Sequence, residues 1–365
     1  MSINELEMKC RELRQLQALA HRGVALQQSA LRPEERLLLR SRSALLLEGE
    51  ADLEAQLPRL RHAPPATPPP RQAAPAALAL ADESLHDACP YGGFSQDGRR
   101  YLILKTPPLP WSHVLANPRF GSLVTERFGG YSFYQNARLF RLTPFSNDPV
   151  EDPRGEGVFL LDEYGGEPDF LCGRVQYGQG FAVGESGALG LYARQTQAVD
   201  PKLPVKLLHL RLHNPSAAVR TLHVYAFARW VLGEDVRLNA MGILTWRKGR
   251  TLLARNALGG ALGFLALLDE LPFSYSCDGE ELAQALAGRP RLSCRQGCGM
   301  EPCALLEVPL RLEPGQTRTL CFALGAAGDE AEALALLEGL DPQALFRRTE
   351  AYWDDLLSRI RLDTP

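Results

Sequence analysis

The chain has 365 residues, of which 45% are hydrophobic, 23% charged and 8% aromatic, and its 40 basic and 43 acidic side chains give a formal net charge of −3. This composition is typical of a globular protein with two domains, or with one large all-β domain and helical additions. The balanced charge offers no basic field for the phosphates of nucleic acid, so no nucleic-acid partner is expected. No apolar run reaches the roughly 20 residues of a spanning helix. The first residues also lack the apolar core of a signal peptide, so we expect a cytoplasmic protein with no direct membrane span.

Residues 1–62 are predicted to form a helical region. Apolar residues recur at helical spacing from Asn4 to about Ala30, and a second helix is predicted from about Pro33 to Gly49. This region is either a docking or spacer hairpin or a helical remnant of a larger multidomain chain. Residues 63–80 are rich in proline and alanine, which predicts an extended linker and a domain boundary.

The sequence pattern changes from helical to strand-like in residues 81–327, which are predicted to form a β-sandwich domain. Short runs rich in Val, Leu, Tyr and Phe are broken by Gly, Pro, Asn or Asp roughly every eight to twelve residues. Because strand and helix patterns do not alternate, a large antiparallel sandwich of ten or more strands is favoured over a parallel sheet. The alternating segments Val205–Leu212 and Thr221–Val231, joined by an Asn-Pro-Ser turn, predict one hairpin of this sandwich.

Residues 328–365 are predicted to be helical. Asp329 is a predicted N-cap for a helix over Glu330–Leu337, and Gly339 is its predicted stop. Asp341 and Pro342 are a predicted cap and first-turn residue for a second helix, whose apolar positions require a surface to pack against.

Residues 91–163 hold the densest array of chemistry-bearing side chains. Aromatic rings that stack on sugars are interleaved with side chains that bond to hydroxyls: Trp111, Phe133, Tyr134 and Phe145 with Asn117, Asn136, Arg138, Arg141 and Asn147. Composition alone leaves two interpretations open, a carbohydrate site or an aromatic core with arginines bracing loops.

Other chemical signals are weak. The spacing of Cys294, Cys298 and Cys303 lacks a fourth ligand and a C-x2-C knuckle, so free thiols rather than a metal site are predicted. A nucleophile elbow, a P-loop and a dinucleotide fingerprint are missing from the sequence. Its acidic pairs, such as Asp162 with Glu163, are adjacent in sequence and therefore diverge in a strand or helix. No catalytic residue is assigned.

Several segments together resemble one family over residues 90–365. They are YGGF at 91–94, TPPLPWSHVLANPRFGSLVTE at 106–126, GGYSFYQNARLFRLTPFSNDP at 129–149, RVQYGQGF at 174–181, GCGMEPCALLEV at 297–308 and the closing YWDDLLSRIRLDTP. These segments resemble the N-terminal sandwich domain of glycoside hydrolase family 94, formerly glycosyltransferase family 36. The LANPRFG, TPFSNDP and MEPCALL forms are more similar to the cyclic β-1,2-glucan synthase branch than to the cellobiose and chitobiose phosphorylases. His113 and Phe145 depart from the family pattern, in which relatives usually carry Asn and Trp.

The resemblance implies a galactose-mutarotase-like supersandwich, followed in family members by a helical linker and an (α/α)6 barrel that carries the general acid. It implies no cofactor, with inorganic phosphate as a reactant of a complete enzyme. The implied ligand is a β-glucan or oligosaccharide, and the implied protein partner is a catalytic barrel chain or a second copy of this chain. The implied substrate-binding residues are Trp111, Tyr134, Asn136, Arg138, Arg141, Asn147 and Gln179.

Three functions follow from this resemblance as hypotheses. In the first, the chain is a non-catalytic sandwich module that supports carbohydrate binding and assembly with a catalytic barrel. In the second, it is one half of a split phosphorylase or glycosyltransferase. In the third, it is a scaffold partner of a membrane glucan synthase, which would associate it with the inner membrane.

Overall fold

The computed structural model describes residues 84–359, apart from 147, 149, 151, 164–166, 172 and 289–291. The predicted N-terminal helical region and the linker lie outside the described residues. Within those residues the protein is mainly β, which confirms the predicted fold class.

The first half of the described chain contains mostly short strands. They are β1 (His86–Cys89), β2 (Gly92–Phe94), β3 (Arg100–Ile103), β4 (Ser112–Ala116), β5 (Phe120–Thr125), β6 (Gly130–Tyr134), β7 (Glu156–Asp162), β8 (Arg174–Gly178) and β9 (Phe181–Ser186). Longer strands and the helices follow. They are β10 (Tyr192–Val199), β11 (Val205–His213), β12 (Arg220–Arg229), α1 (Val236–Ala240), β13 (Ile243–Lys248), β14 (Thr251–Asn256), β15 (Leu262–Leu267), β16 (Ser274–Asp278), α2 (Gly279–Leu286), β17 (Pro302–Leu312), β18 (Thr317–Ala327), α3 (Glu330–Glu338) and α4 (Pro342–Ser358).

The strands form three antiparallel sheets around one central core. The large sheet has eleven strands in the order β1-β2-β3-β8-β9-β10-β11-β18-β15-β14-β13, the second has four in the order β16-β17-β12-β7, and the third is β4-β5-β6. Alternate residues of the large and four-stranded sheets, such as Leu208 and Leu210 of β11 and Leu222 and Val224 of β12, point into this core. Such sheet-on-sheet packing defines a β-sandwich.

The predicted hairpin of β11 and β12 is wrong. β11 pairs with β10 and β18 of the large sheet, whereas β12 pairs with β7 and β17 of the four-stranded sheet. The turn between them crosses from one sheet to the other, and the amide of the fully buried Asn214 holds that crossing by donating to the carbonyls of Ala218 and Leu312. Both strands have an apolar face directed at the same core, so packing the two faces together buries more apolar surface than pairing the strands edge to edge.

Helices pack on part of the outer face of each of the two larger sheets. Leu282 and Ala285 of α2 pack on Phe159, Tyr225 and other residues of the four-stranded sheet. The two predicted C-terminal helices are confirmed, with Asp329 and Asp341 as N-caps and Gly339 at the end of the first helix. Both helices lie on the large sheet, as shown by the buried Ala333 of α3 and Leu345 of α4.

A buried ion pair connects the three sheets. Lys206 of β11 contacts the carboxylate of Glu156 on β7 and donates to Ser122 Oγ of β5 at 3.0 Å. The hydroxyls of Ser132 and Thr143 donate to the same carboxylate at 2.9 and 2.6 Å. Each charge is therefore surrounded by hydrogen-bonding partners, as buried charges require.

Candidate functional site

Several of the family-like segments converge on one open cleft, which we call the loop cleft. Its walls come from the proline-rich run before β4, from strand β5, from the start of β6 and from the loop that follows Pro144. Its volume is about 250 Å³. Its lining residues are Leu109, Pro110, Ser112, Leu123, Thr125, Gly130, Phe145, Ser146, Asp148, Asp152 and Pro153.

Carboxylates provide hydrogen-bond acceptors in the loop cleft. Asp152 is nearly buried and accepts a hydrogen bond from Thr125 Oγ1 at 2.6 Å, and Thr125 Oγ1 itself accepts from the backbone N–H of Gly129 at 3.1 Å. A Cβ on Gly129 would lie 3.0 Å from an Asp152 oxygen, so glycine lets the turn approach this carboxylate closely. Asp148 provides a second, exposed carboxylate. Fixed carboxylates of this kind accept hydrogen bonds from ligand hydroxyl groups.

Phe145 provides an apolar ring face beside these acceptors. Its side chain is 43% exposed, and its ring lies 4.9 Å from that of Tyr131 between centroids. The guanidinium of Arg141 lies 5.7 Å from the centre of the Phe145 ring. The ring is thereby held in place by two neighbours while part of it stays open to a ligand.

Four of the predicted site residues lie close together in sequence, Tyr134 at the end of β6 and Asn136, Arg138 and Arg141 on the loop after it. The side-chain oxygen of Asn136 accepts from the backbone N–H groups of Arg138 and Leu139, both at 2.9 Å, which closes a turn. Arg138 Nε donates to Glu234 at 3.1 Å on the exposed surface. Arg141 Nε donates to the carbonyl of Ala137 at 3.3 Å. These contacts shape the loop that ends at Phe145.

The hydroxyl of Tyr134, the fourth of these residues, accepts from Arg119 Nη2 at 3.1 Å. Its ring packs edge to face on Phe140, with 6.2 Å between centroids. Tyr134 is therefore anchored at the end of β6, at the beginning of the same loop.

Two of the remaining predicted site residues, Trp111 and Gln179, do not lie on the loop after β6. The ring of Trp111 packs edge to face on Tyr91 and Tyr101, although its neighbours Pro110 and Ser112 line the loop cleft. Gln179 lies in the turn between β8 and β9, in a separate pocket that Glu350 and Asp354 of α4 also line. The predicted Asn147 lies outside the described residues.

Hydrogen bonds attach the three-stranded sheet beside the cleft to the large sheet. The Trp111 carbonyl accepts from Tyr177 Oη at 2.6 Å, and the Trp111 N–H donates to Glu126 Oε2 at 2.9 Å. Burial raises the pKa of the Glu126 carboxyl, and the charge of Asp152 adds to that effect. His113, at one of the positions that depart from the family pattern, stacks on Tyr177 and hydrogen-bonds the carbonyl of Gly178 at 2.8 Å. Burial lowers the pKa of His113, which favours its neutral form.

The prediction from sequence missed Asp152, Asp148 and Thr125. The acidic pairs singled out in the sequence are adjacent residues, whereas Asp148 and Asp152 are separated along a loop bounded by prolines. Two acidic residues within one proline-bounded loop were the sequence feature that could have identified this part of the site. Prolines hold the backbone of such a loop in an irregular path, which can direct both carboxylates into one cleft.

Metal-binding clusters and membrane-spanning helices are both missing from the part of the chain that the structure describes. Among the described residues, no three His, Cys, Asp or Glu side chains are grouped so that they would hold a metal ion. Cys303 is buried in the core under α2, while Cys294 and Cys298 are exposed free thiols. None of the helices in the described part of the chain combines the length and the apolar character needed to span a membrane.

Comparison with known proteins places this arrangement in a family. The chain is 29% identical over 307 residues to the cyclic β-(1,2)-glucan synthase NdvB of Rhizobium meliloti (strain 1021), which covers 75% of this chain and 11% of that protein. It is 22% identical over 314 residues to the N,N'-diacetylchitobiose phosphorylase of Vibrio proteolyticus, covering 75% of this chain and 38% of the phosphorylase. The chain therefore spans well under half the length of these relatives.

Among solved structures, a bacterial glucoamylase in complex with acarbose aligns with a TM-score of 0.42 and 8% identity over 72% of this chain and 41% of that chain. Residues 99–341, more than half of the chain, match the family described as the supersandwich domain of glycosyl hydrolase 94. This match covers the loop cleft and all three sheets except β1 and β2. The chain belongs to the glycosyl hydrolase 94 supersandwich family.

Proposed function

We propose that the described sandwich is a non-catalytic module that supports carbohydrate binding and assembles with a catalytic (α/α)6 barrel. The whole protein would resemble a cyclic β-1,2-glucan synthase or a glycoside phosphorylase. The observation that carries this proposal is the loop cleft, where the exposed face of Phe145 lies beside the carboxylates of Asp148 and Asp152. The relatives, a cyclic β-1,2-glucan synthase and chitobiose phosphorylases, favour a glycan as the ligand.

The chemistry of the loop cleft suits a sugar ring. A pyranose has apolar C–H faces that pack on an aromatic ring, and equatorial hydroxyls that donate to carboxylates. At about 250 Å³ the cleft has room for about one sugar unit and is open to solvent, so the rest of a longer glucan chain would extend beyond it. The residues from Tyr134 to Arg141 act indirectly in this proposal, because their contacts fix the loop that carries Phe145.

Titration calorimetry of the full chain with β-1,2-glucooligosaccharides in phosphate-free buffer tests the binding function, with cellobiose as the contrast. We expect saturable heat from the β-1,2-linked sugar and a loss of about tenfold in affinity in Phe145→Ala, because that variant removes the ring face. Phe94→Ala is a matched control, since Phe94 is 41% exposed, packs on Tyr101 and lies outside the loop cleft.

Two results would contradict the proposal. Equal binding by wild type and Phe145→Ala would remove the loop cleft as the binding site. Release of glucose 1-phosphate from β-1,2-glucan and inorganic phosphate by the purified chain alone would refute the non-catalytic assignment.

The exposed side of α4 favours a second candidate, in which this chain is one half of a split enzyme. Leu345 and Thr349 of α4 are buried against the sandwich, whereas Tyr352, Leu356 and Leu357 keep 37%, 37% and 49% of their surface exposed. We infer that this apolar stripe contacts a catalytic barrel. The test mixes the chain with a barrel fragment of the related glucan synthase and follows the complex by analytical ultracentrifugation. A complex that Leu356→Lys abolishes supports this role, and sedimentation of the two components as separate species rejects it.

A further inference from the structure

A row of charged side chains crosses the outer face of the large sheet. Strand register places Arg174 of β8 opposite Glu185 of β9, Glu185 opposite Arg194 of β10, and Arg194 opposite Arg211 of β11. Neighbouring strands are about 4.8 Å apart, so these four side chains project side by side from one face. The opposite face of the same strands is directed into the apolar core, for example through Val175.

The charges in this row are unbalanced. Arg194 Nη1 donates to Glu185 Oε1 at 3.0 Å, and this is the row's single ion pair within the described residues. Arg174 and Arg211 make no hydrogen bond or ion pair through their guanidinium groups with any described residue. Arg194 and Arg211 lie directly opposite each other on paired strands, an arrangement that is destabilising for like charges. An anion between the two guanidinium groups would remove that repulsion.

The row lines one side of a groove, which we call the arginine groove. Its volume is about 530 Å³, in the range of small-ligand sites. The groove is lined by Arg174, Glu185, Tyr192, Arg194, Arg211 and His213, with smaller side chains between them. Tyr192 and His213 stack with their rings 8° from parallel and 6.0 Å apart. His213 is fixed by a hydrogen bond of 3.0 Å between Nδ1 and Thr317 Oγ1. The groove thus combines a cationic side with a flat aromatic side.

The imidazole of His209 lies close enough to the row to be affected by its charges. His209 lies one pleat along β11 from Arg211. Burial is the main cause that lowers the pKa of His209, the charge of Asp269 opposes it, and the charges of Arg194 and Arg211 lower the pKa by smaller amounts.

We propose that the arginine groove binds a phosphate dianion, either free or carried on a hexose. Three arginines against one glutamate match a doubly charged ligand, and guanidinium groups present the paired N–H donors that phosphate oxygens accept. A hexose attached to the phosphate would lie along the faces of Tyr192 and His213. This site is separate from the loop cleft, so the proposal does not depend on the function proposed above.

Titration calorimetry of the full chain at low ionic strength tests this proposal, with inorganic phosphate and glucose 1-phosphate as separate ligands and glucose as the uncharged contrast. We expect saturable binding of at least one phosphate ligand below about 10 mM. We also expect Arg194→Gln and Arg211→Gln each to weaken it by about tenfold or more, because each removes a charge-assisted donor. The matched control is Arg255→Gln, since Arg255 is an exposed strand arginine of β14 outside the groove.

The outcomes separate the two sources of phosphate. If glucose 1-phosphate binds more tightly than inorganic phosphate, and Tyr192→Ser reduces that difference, the groove is assigned to a hexose phosphate. If both ligands bind with equal affinity, the groove is assigned to free phosphate. The proposal is overturned if neither ligand binds, or if Arg211→Gln and Arg255→Gln have the same effect. Phe145→Ala should leave phosphate binding unchanged, which keeps a failure of the loop-cleft proposal distinct from a failure of this one.

Discussion

Replacement of Lys206 by methionine is expected to reduce the free energy of unfolding by about 3–5 kcal/mol, the usual cost of leaving a buried charge without its partner. Lys206 and Glu156 are each only 2% exposed. In Lys206→Met the carboxylate of Glu156 keeps the hydroxyl donors of Ser132 and Thr143 but loses its counter-charge. Methionine is close to lysine in length, so little of this loss arises from a cavity.

A double-mutant cycle isolates the electrostatic part of this effect. Glu156→Gln alone leaves the Lys206 ammonium buried without its counter-charge, although Ser122 Oγ still accepts from it, so we expect a similar loss. The double variant buries no charge at this position, and its loss should be smaller than the sum of the two single losses by about 2–3 kcal/mol. Urea unfolding followed by circular dichroism gives all four free energies.

Lys248→Met is the matched control, because Lys248 and Glu330 form an exposed ion pair at 3.7 Å. We expect that substitution to change the free energy of unfolding by less than about 1 kcal/mol. If Lys206→Met cost no more than Lys248→Met, or if the single effects at Lys206 and Glu156 were additive, the interpretation of the pair as a buried, coupled link between the sheets would be wrong.

Three further predictions concern single positions. A hydrogen bond to Glu307 raises the pKa of His223, so protonated His223 stabilises the fold by about 1 kcal/mol at pH below its unfolded pKa, and this stabilisation is lost as pH rises through its folded pKa. His223→Gln should remove this pH dependence of the free energy of unfolding, measured by urea unfolding at several pH values. An unchanged pH dependence would contradict the assignment to His223. Gly180→Ala should destabilise the fold by about 2 kcal/mol or more, because Gly180 has φ +85° and an added Cβ would lie 2.3 Å from the Trp353 ring. The same clash should alter tryptophan fluorescence. A variant as stable as the wild type would show that α4 does not pack on this turn. Asp341→Ala should cost about 1 kcal/mol in thermal unfolding because α4 loses its N-cap, and Asp341→Asn, which preserves the cap, should cost much less.

Features governed by local chemistry were predictable from the sequence. Asp329 and Asp341 mark the starts of α3 and α4 because an N-cap side chain bonds backbone N–H groups only two or three residues away. The breaks between short apolar runs predict an antiparallel sandwich, because strand alternation is a property of neighbouring residues. The family-like segments also identified the loop that runs from Tyr134 to Phe145, part of which now forms a wall of the loop cleft.

Pairing partners and converging loops were decided by the tertiary structure. β11 and β12 are consecutive and alternate as the strands of a hairpin do, yet they enter different sheets because both apolar faces are buried in the shared core. Asp152 meets Thr125 across 27 residues of sequence, and Arg174 joins the row of Arg194 and Arg211 through β9. The sequence by itself therefore determined the strand-rich character of the sandwich and the starts of α3 and α4, because those signals act over a few residues, whereas α1 and α2 were not predicted. Only the tertiary structure decided which strands are neighbours, and hence which charges and rings meet in the loop cleft and the arginine groove, because sheet register depends on burial summed over the whole core.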